Sequence, residues 1–135
     1  MDQARLSLAF GPVSATAPLP LYDQVSAAVR REIGAGRLKS GDALPSLRVL
    51  AGALMISLIT VKRAYEDLEG EGLIYSRQGL GAFVTEAGPA RLREQAEAAA
   101  RQAAQQAVAA ARTAGLGHAQ LIHIIEQEWR KGEVD

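Results

Sequence analysis

His118 and His123 are the two imidazoles of the chain, and five positions apart they do not share one helix face as metal ligands four apart would. No cysteine accompanies them, which removes thiolate metal sites, thiol nucleophiles and disulfide scaffolds. The run Gly36-Arg37-Leu38-Lys39-Ser40-Gly41 has the glycine spacing of a phosphate-cradling loop, but Asp42 and Ala43 stand where Lys and Ser/Thr are required. Gly79-Leu80-Gly81 falls between two short β-prone runs, not between a strand and a helix, so it is no dinucleotide fingerprint. Neither an enzyme nor a metal or cofactor site is expected.

Charge is the remaining chemistry, and globally it cancels: 15 Lys+Arg face 15 Asp+Glu among 135 residues. No overall positive field exists to gather nucleic acid or anionic lipid, so any such contact must come from where single charges are placed. Taken one at a time, Arg48, Lys62, Arg63 and Arg77 read as solvated surface charges. Arg63 with Asp67, or Lys62 with Glu66, are also spaced to pair along a helix.

The elements that would hold these residues follow from periodicity. Leu21, Val25, Ala28, Val29 and Ile33 recur at helical spacing, with Asp23, Gln24, Arg30, Arg31 and Glu32 on the other side, and Gly34 and Gly36 end this first helix. Ser46 is placed to cap a short second helix with the stripe Leu47, Leu50, Ala51 and Leu54. Only Met55 and Ile56 separate it from Ser57, a second cap candidate, after which Val61, Ala64, Tyr65 and Leu68 form the inner face of a third helix. Two short helices joined so tightly spell helix-turn-helix. Leu73 to Ser76 and Ala82 to Val84 then read as strands around Arg77-Gln78-Gly79-Leu80-Gly81, a hairpin tip. The expected fold is mainly α with a small β-hairpin, a winged helix-turn-helix.

Composition divides the chain into an N-terminal arm at 1–17, with room for one strand from Leu6 to Phe10, a winged domain at 18–86, and a helical region at 87–135. Met1 to Phe10 carries Asp2 and Arg5 in a broken apolar stretch, unlike a secretory signal, and no apolar run approaches the roughly 18 residues of a membrane span. A cytoplasmic protein without a membrane partner is expected.

Four ordered blocks resemble the GntR family of bacterial transcription regulators: Gly41-Asp42-Ala43-Leu44-Pro45-Ser46-Leu47-Arg48-Val49-Leu50-Ala51, Thr60-Val61-Lys62-Arg63-Ala64-Tyr65-Glu66-Asp67-Leu68-Glu69, Glu71-Gly72-Leu73-Ile74 and Gly79-Leu80-Gly81-Ala82-Phe83-Val84. The opening Pro20-Leu21-Tyr22-Asp23-Gln24-Val25 and the Ala64-Tyr65 pair are similar to the YtrA subfamily, whose members carry a short two-helix C-terminal region for dimerisation. Family membership implies a third helix that enters the major groove by its first turn and one exposed face. That face offers Thr60, Lys62 and Arg63, with Ser57 at the positive helix end able to take a phosphate. By the same resemblance Arg48 matches an arginine that reaches backbone or base, and Arg77, Gln78 and Gly79 form the wing of the adjacent minor groove.

The chain also departs from the family. Met55 stands where glycine is common in the turn, and Leu58 and Ile59 replace the usual polar residues after the cap. Those aliphatic side chains cannot make bidentate contacts to guanine; they either touch thymine methyls or pack against the arm or turn.

In the tail, Leu92, Ala96, Ala99, Ala103, Ala107, Ala110 and Ala114 advance by fours and threes, a stripe of small residues that lets another helix approach. Gly115 and Gly117 break it, and Leu121, Ile122, Ile125 and Trp129 mark a second amphipathic helix. Packing against the same pair from a second copy gives a two-fold four-helix arrangement; docking back on the winged domain is the other possibility. The expectation is a homodimeric, sequence-specific regulator, a repressor on a pseudo-palindromic operator in double-stranded DNA; the tail's two helices leave no obvious cavity, and an effector of unknown identity could bind between the dimer helices or between tail and winged domain. The alternative is a winged-helix adaptor that binds protein and not operator DNA.

Overall fold

The structure is a computed structural model, and it describes residues 10–133. The expected strand from Leu6 to Phe10 lies outside these residues except for Phe10, which sits in a turn. Among the described residues there are five helices and one two-stranded sheet: α1 (Leu21–Gly34), α2 (Leu47–Leu54), α3 (Leu58–Gly70), β1 (Ile74–Arg77), β2 (Gly81–Val84), α4 (Gly88–Thr113) and α5 (His118–Glu133). Contacts gather these into two compact units that meet between Glu94 and Gln95, within α4.

The first unit is built on three helices whose apolar stripes converge. Val25, Ala28, Val29 and Ile33 of α1, Leu50 and Ala51 of α2, and Val61, Ala64, Tyr65 and Leu68 of α3 are all buried, as helical spacing requires. Leu73, Ile74, Ala82 and Val84 of the hairpin close one side. Leu92, first residue of the small-residue stripe, also packs on this core, its Cδ2 near Gly34.

Two features of the core depart from simple periodicity. Glu32, expected on the solvated side of α1, is 2% exposed. Its carboxylate takes the Nε and Nη2 of Arg37 in a two-point pair, and its backbone carbonyl accepts from the amides of Arg37 and Leu38. The chain therefore folds back over the end of α1 and compensates the buried charge with a guanidinium. Hydrogen bonding to Glu32 raises the pKa of Arg37 still further. The second feature is Phe10, 1% exposed and part of the same core, delivered by the arm. Gln24 holds that arm in place: its amide oxygen accepts from the Ser14 amide at 2.9 Å, and its nitrogen donates to the carbonyls of Ser14 and Leu19 at 2.8 and 2.7 Å.

The hairpin is antiparallel, with Ile74 opposite Val84, Tyr75 opposite Phe83, Ser76 opposite Ala82 and Arg77 opposite Gly81. Tyr75 and Phe83 stack across it at 5.6 Å. An unexpected third segment supports it: Ala43 bridges Phe83, Leu44 donates to Ala82 at 2.9 Å, and Asp42 accepts from Val84 at 2.9 Å. The connection between α1 and α2 thus satisfies the outer edge of β2, where unpaired backbone groups would otherwise stand.

In the second unit, α4 and α5 join through a turn in which Gly115 adopts a positive φ. Ala111 is buried beside this turn, near Leu116 and Leu121. Along α5 no residue is buried, and Ile122, Ile124, Ile125 and Trp129 are 40%, 40%, 45% and 71% exposed. Among the described residues no helix is long and apolar enough to cross a membrane.

Candidate nucleic-acid interface

Capping sets the turn between α2 and α3. Ser46 Oγ accepts from the amide of Val49 at 3.1 Å, and Ser57 Oγ accepts from the amide of Thr60 at 3.1 Å, so each helix begins where a serine satisfies one of its orphan donors. Met55 terminates α2 in the left-handed region, at φ 56° and ψ 46°, and the amide of Ile56 reaches back to Ala51 at 3.0 Å. Ile56 turns onto the core while Met55, 91% exposed, points away from it.

Rigid links then orient this pair. Tyr65 of α3 donates to the carbonyl of Pro45 at 2.7 Å, just before the cap of α2. Arg30 of α1 grips Glu71 through Nε and Nη2 at 3.1 and 2.6 Å. Glu69 Oε1 accepts from the amide of Ser76 at 3.0 Å, which ties the wing to the last turns of α3. Between α3 and the wing lies a groove of about 460 Å³ whose rim includes Ser46, Lys62, Glu66, Arg77 and Gly79.

On this frame the expected contact residues take distinct places. Arg48, Arg77, Gln78 and Gly79 are exposed, the last at a positive φ that lets the wing turn tightly. Lys62 is exposed and 4.0 Å from Glu66, a loose pair on the helix surface. Lys62, Arg77, Gln78 and Gly79 all border the groove, whereas Arg48 does not. Ser57 and Thr60 are engaged with each other, their hydroxyls 2.7 Å apart. Arg63 lies over the ring of Tyr22 at 3.7 Å from its centroid, and the pairing with Asp67 that its spacing allowed does not form.

Sequence reasoning missed several participants. Leu80, 68% exposed at the wing tip, stands beside the basic residues, and its position between two tip glycines was the available signal. Tyr22 acts through Arg63, 41 positions on, and Glu69 through the backbone amide of Ser76 across the α3–β1 turn, and no side-chain pattern marks either contact.

Three packed helices, a serine-capped turn between the second and third, and a hairpin presenting arginine at its tip define a winged helix-turn-helix. The model of the bacterial regulatory proteins, gntR family, matches residues 21–84. The chain is 36% identical to the HTH-type transcriptional regulator Rv1152 of Mycobacterium tuberculosis, over 77% of this chain and 81% of that protein. With these matches, the chain belongs to the GntR family of bacterial regulatory proteins.

Other relatives share less of their length. The HTH-type transcriptional repressor YtrA of Bacillus subtilis is 37% identical over 50% of this chain and 52% of its own. For the uncharacterized regulator YhdI of the same bacterium the values are 40%, 52% and 15%, so this chain spans a small part of that relative. Among solved structures, a GntR family transcriptional regulator from Listeria monocytogenes superposes with a TM-score of 0.69 at 27% identity, over 85% of this chain and 98% of that one. The DNA-binding domain of AraR in complex with operator ORE1 superposes with a TM-score of 0.50 at 33% identity, over 56% and 92%.

Proposed function

We propose that the protein is a homodimeric, sequence-specific DNA-binding repressor of the YtrA type, each winged unit reading one half of a pseudo-palindromic operator. One observation carries this reading: Lys62 of α3 and Arg77, Gln78 and Gly79 of the wing border a single groove, with cationic side chains exposed to solvent. Phosphate neutralisation by lysine and arginine supplies a large share of the affinity of DNA-binding domains, and base contacts supply their specificity. With zero net charge the chain relies on this local cluster, and pairing two copies doubles the number of phosphates engaged. Exposed Arg48 and the first turn of α3 complete the contact set with Ser57 and Thr60; Arg63 contributes through its hold on Tyr22.

The tail is the dimerisation region. An amphipathic helix with no buried residue, carrying Leu121, Ile122, Ile125 and Trp129, is the surface of a structure that a second copy covers. The exposed small-residue face at Ala96, Ala99, Ala103 and Ala110, with half-buried Ala107, allows close helix approach. Support for the YtrA assignment is the 37% identity to the repressor YtrA of Bacillus subtilis over half of this chain. Repression follows from occupancy of a promoter in the cytoplasm.

The test is selection of bound duplexes from a random DNA library by the purified protein at two salt concentrations, with light scattering on the selected complex. Enrichment of an inverted repeat, bound by two chains and weakening steeply with salt, is expected. A library that emerges unenriched would overturn the reading.

A further inference from the structure

The first turn of α3 is where a groove-reading helix meets base edges, and here the side chains that project freely from that turn are aliphatic. Ser57 and Thr60 are engaged with each other and with the helix backbone. Ile59 is 78% exposed and Leu58 43%. Of the arm's described residues, Gly11, Pro12 and Val13 run beside Ala53, Leu54 and Met55, at the end of α2. Helical spacing places Ile59 one turn before Lys62 and Arg63 on the outer face, opposite buried Val61, Ala64 and Tyr65. Arg63 is drawn onto Tyr22, which leaves Ile59 and Lys62 as the projecting pair.

A β-branched side chain holds few rotamers, so it presents a stiff apolar surface. In the major groove guanine, cytosine and adenine offer hydrogen-bonding edges, which a branched alkyl group buries without compensation; the one apolar feature is the 5-methyl of thymine. We propose that Ile59 is a specificity-determining residue that reads a thymine methyl in each half-site, with Lys62 one turn on fixing the helix to the neighbouring phosphate. This inference rests on the reading of the chain as an operator-binding protein and names what its operator must contain.

The experiment changes the DNA and leaves the protein untouched. Thymines of the selected duplex are replaced one position at a time, in both half-sites, by deoxyuridine, which lacks only the methyl. At one position the dissociation constant should rise about fourfold for each methyl lost, the value of one buried methyl group. Ile59→Ala, at an exposed position where the fold is not at stake, should bind the thymine and deoxyuridine duplexes alike. Tight binding that is insensitive to deoxyuridine at every position would overturn the role of Ile59 and leave operator binding standing. An Ile59→Ala protein that keeps the thymine preference would do the same. Failure to select any duplex would overturn the operator reading itself, and Ile59 with it.

Discussion

The hydroxyl of Tyr65 donates a 2.7 Å hydrogen bond to the carbonyl oxygen of Pro45, fastening the middle of α3 to the residue that precedes the cap of α2. Both residues are buried, so the bond forms away from water and its loss leaves a carbonyl without a partner. It fixes the distance between the helix that carries Lys62 and the one that carries Arg48.

Burial raises the Tyr65 pKa well above its ordinary value near 10. The unfolded chain releases that proton near pH 10 while the folded chain keeps it. Stability from this group is therefore whole below pH 10 and falls as pH rises beyond it, by up to about 1.4 kcal/mol per pH unit. Tyr65→Phe should cost about 1–2 kcal/mol at neutral pH and lose less stability than the parent above pH 10. Urea unfolding of both proteins between pH 7 and roughly 11, the range that brackets a tyrosine, measures it; parallel curves would refute it.

Lys62→Ala and Arg77→Ala should each weaken operator binding and reduce the slope of log affinity against log salt by about 0.9 per subunit, one phosphate each. Arg63→Ala should leave that slope unchanged and cost about 0.5–1 kcal/mol of folding stability, because its guanidinium lies on Tyr22. Salt titrations of the three variants separate the roles. Unaltered affinity in the Lys62→Ala, Arg77→Ala double variant would remove both residues from the contact set.

Met55 is the one non-glycine residue among those described with a positive φ. An L-residue there costs roughly 1–2 kcal/mol, partly offset in a glycine variant by the greater entropy of the unfolded chain. Met55→Gly should raise stability by about 0.5–1 kcal/mol, and Met55→Val should lower it, since a β-branched residue tolerates this region least. Thermal melts that rank the three in another order would show that the side chain of Met55 stabilises the turn by itself.

Phe10 is buried with Gly11 packed near Leu54. Phe10→Ala should destabilise the winged unit by about 3–5 kcal/mol, the usual cost of an aromatic side chain removed from a core. A change under about 1 kcal/mol, the scale of an ordinary surface substitution, would mean that the arm is not part of the fold.

Ile125→Asp puts a charge on the unburied face of α5. The parent protein should sediment as a dimer and this variant as a monomer, since an unpaired charge at an apolar contact is costly. Both sedimenting alike would move dimerisation elsewhere.

Much of this protein is legible in its sequence because the signals are local. Ser46 and Ser57 cap helices a few residues away, Val61, Ala64, Tyr65 and Leu68 share a face by helical geometry alone, and the glycines around Leu80 permit the wing. Each depends on the spacing of near neighbours, which sequence order preserves. Tertiary structure decided what depends on distant partners. Glu32 is buried because the chain after α1 folds back to supply Arg37, against the side its helical position indicates. Arg63 rests on Tyr22, 41 positions earlier, instead of pairing with Asp67. Ala43 pairs with Phe83 although the segment around it is too short to show a strand's alternation. Phe10 joins the core because three helices leave a space that a residue of the arm fills, and close packing admits a side chain by shape whatever its place in the chain.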